Sequence, residues 1–258
     1  MVMTLAQVEI FLLILARIGG VLIEAPMFNL RTFPAIAKVS LAIWISVVLW
    51  FVVPVSGALP PDFPTFTLAI INELIIGAII GFIAHVIFAA VQAAGDVMDL
   101  QMGLSIATVI SPTTGGVVSI VGNLAFMFAL TIFVTIDGHH LILSTFKESF
   151  RLIPLVTPID PSKGAFLLQV LESLKIFWLI ALQLCAPIVL LIFLTDFSFG
   201  IVSRVAPQVN VFMLGFQVKP ALGLVGIMLT LPLLSRHIAD ITGKIGEEVI
   251  KALLLLKP

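Results

Sequence analysis

The run LAIINELIIGAIIGFIAHVIFAAVQ, from Leu68 to Gln92, determines the fold class of this protein. A helix needs about 20 mostly apolar residues to cross a lipid bilayer. This run exceeds that length and carries a single carboxylate, Glu73. It is also too long for an ordinary buried strand, so it predicts a membrane-spanning α-helix.

The composition extends this prediction to the whole chain. Of its 258 residues, 60% are hydrophobic and 10% are charged, whereas a soluble domain has roughly 25% charged residues. The mean hydropathy of +1.25 agrees. These values exclude a soluble enzyme, a disordered protein and a secreted disulfide scaffold. The net charge of −1 provides no basic field for nucleic acid, and the single cysteine, Cys185, excludes an internal disulfide.

Apolar segments of spanning length recur along the sequence, separated by short connections rich in proline and glycine. No long polar linker interrupts the chain. We therefore predict an all-α membrane protein of about six hydrophobic helices that forms a single domain over residues 1–258. The predicted spans are Leu5–Ile23, Ile36–Val53, Leu68–Gln92, Val117–Ile136, Val170–Thr195 and Phe212–Leu234.

The tail from Ser235 to Pro258 has a different pattern. Its apolar residues recur at steps of three and four, which places them on one stripe of a helix, with charged residues on the opposite side. This pattern predicts an amphipathic helix that lies on the bilayer or on a partner; a frayed end of a membrane helix is the alternative. The stripe consists of Ile238, Ile241, Ile245, Val249, Ala252 and Leu256.

Several ionisable side chains lie inside the predicted spans, where each charge costs on the order of 3 kcal/mol at the bilayer centre. Glu9 and Arg17 lie in the first span, Glu73 in the third and Lys219 in the sixth, with Asp196 at the end of the fifth. We interpret these charges as contacts that hold helices together or hold this chain against other subunits. The alternative is a proton or ion relay, which typically gathers carboxylates in one cavity.

Gly77 and Gly81 form a Gly-x-x-x-Gly pair, and Glu73 precedes it at the same spacing. Small residues at this spacing let two helix backbones approach closely in a membrane. The pattern predicts close helix packing without indicating which chain supplies the neighbouring helix.

Motifs of catalysis are missing from the sequence. It contains no Gly-x-Ser-x-Gly, P-loop or His-Glu-x-x-His pattern, and Asp96 and Asp99 share one segment instead of facing each other from two spans. Asp137, His139 and His140 superficially suggest a metal site, but adjacent histidines on a helix point in different directions. We interpret these three residues as a polar loop at a membrane exit. We predict neither an enzyme nor a metal or cofactor.

Two segments are too polar to span a membrane comfortably and too apolar to be solvated loops. They are AGDVMDLQMGLSIATVISP, from Ala94 to Pro112, and RVAPQVNVFMLGFQVK, from Arg204 to Lys219. Such backbone is stable at membrane depth only where protein or a pore surrounds it. Together the two segments resemble the FliR family of flagellar export proteins and its SpaR/YscT relatives from virulence systems. Further matching residues near the start of the chain are Arg17, Pro26, Arg31, Pro34 and Lys38.

This resemblance implies a core subunit of the flagellar type III secretion export gate. The chain would assemble with FliP and FliQ next to FlhB, in the bacterial inner membrane at the flagellar basal body. Unfolded flagellar subunits would pass through the gate from the cytoplasm. The chain would join a FliP-like N-terminal part to a FliQ-like C-terminal part, as helical hairpins wound into a helical complex.

The resemblance also implies a plug that closes the channel at rest, and hydrophobic constrictions gate channels by dewetting. Some relatives carry aromatics where this chain has the aliphatic Ile106 and Val109. The predicted plug residues are Ile106, Val109, Ile110, Val117 and Val118, with Gly103, Gly115 and Gly116 as pivots. The predicted subunit contacts are Glu9, Arg17, Glu73, Asp96, Asp99, Asp196, Arg204, Gln208, Asn210 and Lys219.

A rival hypothesis from another class is an ion-coupled secondary transporter for small molecules, with Glu73, His85 and Lys175 coupling the ion. Transporters of that kind usually contain internal repeats with paired broken helices. The sequence shows no such symmetry.

Overall fold

The computed structural model describes residues 5–26, 28, 34–53, 59–105, 119–158 and 165–256. Within these ranges all of the regular secondary structure is α-helical, which confirms the predicted fold class. The helices are α1 (Leu5–Glu24), α2 (Ala35–Trp50), α3 (Phe63–Met102), α4 (Ile120–Thr135), α5 (Gly138–Leu152), α6 (Ala165–Val205), α7 (Val211–Gly243) and α8 (Ile245–Leu256).

The helices form two compact units, each assembled from separate stretches of sequence. Unit 1 comprises Met1–Val86, Asp137–Leu174 and Gly243–Pro258. Unit 2 comprises Ile87–Ile136 and Lys175–Thr242. The long helices α3 and α6 each contribute one part to unit 1 and the other part to unit 2. The prediction of a single domain over residues 1–258 stays a prediction.

In unit 1, α1 packs against α2 and against the first part of α3, around buried Leu13, Ile14, Ile18 and Ile76. The predicted amphipathic tail is divided, because residues 235–243 form the end of α7 and the rest forms α8, which packs on α5 of the same chain. In α8 the predicted apolar stripe is a buried face, since Val249 is 1% exposed and Ala252 is fully buried. The protein itself covers this face of α8, whereas the sequence had suggested that the bilayer or a partner covers it.

In unit 2, the end of α3 packs against α4 through an aromatic cluster. Phe88 stacks edge-on against Phe133, with ring centroids 5.4 Å apart, and against Phe126 at 6.1 Å. Helices α6 and α7 approach closely at Gly226, where an added Cβ would lie 2.6 Å from Leu191 Cδ2. The core of this unit is thus built from apolar side chains and close helix crossings.

The described residues contain fewer helices of spanning length than the six predicted. Four stretches in them are long and apolar enough to cross a membrane, or up to five if α4 and α5 count as one broken span: Ala6–Glu24, Phe63–Met102, Leu168–Val205 and Val211–Leu256. The predicted second span fails because α2 has 16 residues, about 24 Å of helix against a hydrocarbon core of about 30 Å. The predicted fourth span corresponds to α4, which ends at Thr135 before the chain turns at Asp137, so it reaches spanning length only together with α5.

Large apolar side chains cover much of the outer surface. Trp44 is 70% exposed on α2, Phe212 is 73% exposed and Leu229 is 77% exposed on α7. A soluble monomer rarely exposes apolar patches of this extent. The outer faces of these helices are therefore suited to contact with lipid or with other apolar protein.

Candidate functional site

The core of unit 1 contains a buried ion pair between α1 and α3. Arg17 Nε donates to Glu73 Oε2 at 2.6 Å, and Arg17 Nη2 lies 2.6 Å from the same oxygen. The Arg17 side chain is 1% exposed and the Glu73 side chain is fully buried. Because a buried charge is tolerated only when paired and hydrogen-bonded, these two residues fix each other's position.

Residues from α5 and the turn after it complete the coordination of this pair. Arg17 Nη1 donates to the carbonyl of Ile153 at 3.0 Å and approaches Ser149 Oγ at 3.5 Å. The Arg17 guanidinium also lies 4.2 Å from the centre of the Phe150 ring, a favourable cation–π distance. The pair therefore joins α1, α3 and α5 at one buried point.

The remaining carboxylate oxygen of Glu73 is satisfied by backbone. The Val156 amide donates to Glu73 Oε1 at 3.1 Å. Val156 has a φ of 68°, in the left-handed region that β-branched residues rarely adopt. We interpret this backbone conformation as the consequence of directing the Val156 amide toward the carboxylate, since strained backbone persists only where its surroundings fix it.

Small residues allow α1 and α3 to come close enough for the pair to form. An added Cβ at Gly81 would lie 2.7 Å from the Val21 carbonyl oxygen. A Cβ at Gly77 would overlap the Arg17 carbonyl, and one at Gly20 would overlap the Leu74 carbonyl. The predicted close packing at Gly77 and Gly81 is therefore confirmed, and the neighbouring helix is α1 of the same chain.

A second buried carboxylate lies in unit 2, at the junction of α3 and α4. Asp99 is 1% exposed. Its Oδ1 accepts from the Val121 amide at 3.1 Å and its Oδ2 accepts from the Ser105 hydroxyl at 2.9 Å. Ser105 and Val121 lie on either side of residues 106–118, so one carboxylate holds both flanks of that segment.

The junction of α3 and α4 is also closely packed. An added Cβ at Gly95 would lie 2.6 Å from the Cα of Gly122. A Cβ at Gly122 would collide with the carboxylate of Asp96, which is itself exposed. Ser119 caps α4 by accepting from the Gly122 amide at 2.8 Å. Asp96 and Asp99 thus both lie at the first turn of α4, where a negative charge is favourable.

The plug prediction falls largely on residues that the structure does not describe. Ile106, Val109, Ile110, Val117 and Val118, with the pivots Gly115 and Gly116, lie outside the described residues. The remaining pivot, Gly103, directly follows α3 and has a φ of 79°. This left-handed conformation ends the helix in the way that glycine favours. Its role as a pivot stays a prediction.

Other predicted contact residues gather near the turn between α6 and α7, in unit 2. Lys219 Nζ lies 2.5 Å from Asp196 Oδ1, and these side chains are 26% and 46% exposed. Arg204 and Gln208 are exposed. Asn210 is also exposed, and its Oδ1 accepts from the Met213 amide at 3.2 Å, which caps α7. These side chains are accessible to a partner, whereas Arg17 and Glu73 are not.

A cavity of about 550 Å³ opens beside the Asp196–Lys219 ion pair, within unit 2. Asp196 and Lys219 form part of its wall together with Gly103 and the aromatic rings of Phe199 and Phe216. The remaining predicted contact, Glu9, is half-buried on α1 in unit 1. The structure therefore distributes the other predicted subunit contacts over three places: the Arg17–Glu73 pair, the junction of α3 and α4 at Asp96 and Asp99, and the α6–α7 turn.

The sequence matches the model of a known family, described as bacterial export proteins, family 1, over residues 8–245. The chain belongs to this export family. It is 34% identical over 217 residues to the flagellar biosynthetic protein FliR of Bacillus subtilis, covering 83% of each chain. It is 28% identical over 222 residues to FliR of Escherichia coli K12, covering 86% of this chain and 84% of that protein.

A relative with a different name is also similar. Yop proteins translocation protein T of Yersinia pestis is 30% identical over 158 residues, which cover 61% of this chain and 60% of that protein. The resemblance inferred from the segments at 94–112 and 204–219 is thus confirmed. The transporter hypothesis is not supported.

Sequence reasoning about this member of the export family missed the partners of its buried charges. Ser149 and Ile153 lie 132 and 136 residues from Arg17, and Glu73 lies 56 residues away. No local pattern indicates pairings over such separations. The one signal in the sequence is the helical spacing of Phe146 and Phe150, both of which the structure buries on α5.

Proposed function

We propose that this member of the export family is a core subunit of the export gate of a flagellar type III secretion apparatus. We place it in the bacterial inner membrane at the flagellar basal body. The family match and the names of the relatives support this function. The four or five apolar helices of spanning length support a place in a membrane. In this role the chain forms part of a protein-conducting channel and performs no chemistry.

The observation that carries the gating role is the position of Asp99. Its carboxylate binds Ser105 on one side of residues 106–118 and the Val121 amide on the other. A segment held at both flanks by one buried group suits a plug, because its base stays fixed while its middle blocks a channel. The aliphatic residues of the segment, such as Ile106 and Val109, suit a dry obstruction.

The proposed partners are FliP, FliQ and FlhB, with unfolded flagellar proteins as the transported substrate. The exposed α6–α7 turn is a suitable contact surface, since it combines Arg204, Gln208 and Asn210 with apolar side chains. Val205 is 79% exposed and Phe212 is 73% exposed. Assembly with sister subunits would remove such apolar area from water or lipid. We also propose the FliP-like N-terminal and FliQ-like C-terminal division for this chain.

The Arg17–Glu73 pair has a scaffolding role in this proposal. A transporter that used Glu73 for ion coupling would need that carboxylate to face water or a substrate cavity. Glu73 instead is fully buried and has both oxygens occupied, one by Arg17 and one by the Val156 amide. The pair therefore supports a fixed structural core better than it supports ion coupling.

The gating role is tested by deleting Ile106–Gly116 in cells that assemble the whole apparatus. We expect the complex to assemble and the membrane to become permeable to ions and small solutes, because the obstruction is lost. A length-preserving variant with Ser at positions 106, 109 and 110 should also leak, whereas Leu at the same positions should stay closed. Unchanged conductance in both the deletion and the Ser variant would overturn the plug assignment.

A further inference from the structure

The first turn of α5 brings two imidazole rings and one carboxylate together on the surface of unit 1. The ring centroids of His139 and His140 are 4.3 Å apart. Asp137 Oδ1 lies 3.9 Å from His139 Nε2 and 3.8 Å from His140 Nδ1. One donor atom from each of the three residues lies within 4.8 Å of the other two.

The backbone of Asp137 explains why its carboxylate faces the rings. Asp137 is the residue before α5 and has φ 58° and ψ 31°, in the left-handed region. An aspartate at this position commonly accepts a hydrogen bond from an amide of the first helical turn. Here the Asp137 side chain makes no such capping bond, and its carboxylate points at the two imidazoles instead.

The two histidines converge by presenting different ring nitrogens. His139 approaches the carboxylate through Nε2, at the far end of its ring, and His140 through Nδ1, next to its Cβ. The expectation that adjacent histidines on this helix diverge is therefore wrong for their donor atoms. Asp137, the left-handed residue before α5, supplies a third metal-donor atom, which the helical periodicity of the sequence does not reveal.

We propose that Asp137, His139 and His140 bind a divalent transition-metal ion of the Zn²⁺ type. Imidazole nitrogen and carboxylate oxygen are ordinary ligands of Zn²⁺, whereas Ca²⁺ and Mg²⁺ prefer oxygen alone. Tetrahedral coordination at about 2.1 Å brings donor atoms to roughly 3.3 Å from one another. The side chains of His139, His140 and Asp137 are 41%, 69% and 74% exposed. Because they are exposed, they can rotate and bring their donor atoms to this separation.

Three protein ligands leave a fourth position open to water or to a donor from another molecule. The positive end of the α5 dipole opposes a cation at this place, and the Asp137 carboxylate offsets that effect. The site goes beyond the proposed export function and does not depend on it. It predicts one metal ion per chain on the surface of unit 1.

The test uses the full chain, which is stripped of bound metal by a chelator that is then removed. Zn²⁺ is titrated into this protein in competition with a chromophoric chelator. We expect one equivalent to bind to the unaltered chain. His139→Ala, His140→Ala and Asp137→Asn should each weaken binding by more than about tenfold, because each removes one of three ligands. His237→Ala is the matched control, since His237 lies in unit 2 with Gln183 as its partner at 3.1 Å.

A second measurement needs no variant. Diethyl pyrocarbonate modifies accessible imidazoles, and Zn²⁺ should protect His139 and His140 in the unaltered chain while leaving His237 reactive. Protection of this pair together with stoichiometric binding supports the site. The proposal is overturned if the unaltered chain binds no Zn²⁺ at micromolar concentration, or if binding survives the combined His139→Ala and His140→Ala change.

Discussion

Arg17 and Glu73 show, at the scale of single residues, how this apolar chain accommodates its few charges. Their side chains are 1% and 0% exposed, yet the two charges neutralise each other at 2.6 Å. Arg17 Nη1 also donates to the Ile153 carbonyl, and the Val156 amide donates to the other oxygen of Glu73. Removing one member of such a pair is costly because the other is left as an isolated buried charge.

We expect Glu73→Ala to destabilise the protein by about 3–5 kcal/mol, because it leaves Arg17 buried without a counter-charge. Thermal unfolding in detergent measures the effect. The combined Arg17→Met and Glu73→Leu change should restore much of the stability, since apolar side chains of similar volume need no pairing.

The exposed pair Arg151 and Glu148 is the control for this experiment. Its atoms are 3.8 Å apart and its side chains are 82% and 35% exposed. Glu148→Ala should therefore change the free energy of unfolding by about 0–1 kcal/mol. A Glu73→Ala protein as stable as the Glu148→Ala protein would show that the buried pair does not support the fold.

Asp99 allows a second test at the scale of single residues. In the Asp99→Ala variant the Val121 amide loses its acceptor, which costs about 1–3 kcal/mol for a buried donor. We expect hydrogen exchange at the Val121 amide to become roughly tenfold faster or more, measured in peptides that cover 119–124. Asp240→Ala, an exposed carboxylate on α7, is the control. Equal exchange in the two variants would argue against Asp99 as the anchor of this segment.

At the scale of the element, the crossing of α1 and α3 depends on neighbouring glycines with opposite environments. An added Cβ at Gly20 overlaps the Leu74 backbone, whereas nothing lies within 4 Å of a Cβ at Gly19. The two positions are adjacent in one helix, so they have nearly the same intrinsic preference for helix. Their substitutions therefore separate the effect of packing from that of propensity.

We expect Gly20→Ala to lower the stability of the protein by about 1–3 kcal/mol, because the added methyl pushes two helix backbones apart. Gly19→Ala should be neutral or should stabilise by up to about 1 kcal/mol, because alanine favours helix over glycine. Melting temperatures of the two variants, compared in one detergent, measure the difference. A Gly20→Ala variant as stable as Gly19→Ala would contradict the close crossing.

The elements that the sequence predicted correctly are those with strong local patterns. The apolar stripe predicted for the tail is a buried face in α8, with Ile245 at 2% and Val249 at 1% exposure. The predicted third span, Leu68–Gln92, lies inside α3, but α3 continues to Met102. Helix α3 continues through Asp99, whose carboxylate accepts a hydrogen bond from the Val121 amide of α4. A local sequence pattern does not show this partner.

Helix α5 was missed for a related physical reason. Its residues Gly138–Leu152 are mixed in polarity, and the sequence suggested a polar connection. The apolar side chains of one face, including Ile142 and Phe146, are nevertheless buried, and α8 covers part of that face. An element that is stabilised by packing against a distant helix does not reveal its partner in its own sequence.

At the scale of the whole molecule, composition predicted apolar helices suited to a membrane, but the described residues contain fewer helices of spanning length than the six predicted. Hydropathy counts apolar residues without regard to helix length, so α2 and α4 were predicted as spans although each has 16 residues. Exposed apolar side chains recur along most of the length of α6 and α7. Their exposure is consistent with a subunit whose surface is completed by lipid and by neighbouring proteins.

The central claim is that this chain acts as a subunit of a larger export gate. The measurement that tests it most directly is the intact mass of the particle purified after co-expression with FliP, FliQ and FlhB. We predict a particle far heavier than the 27.8 kDa chain that contains FliP and FliQ. A stable, isolated monomer that leaves both proteins behind would contradict the account.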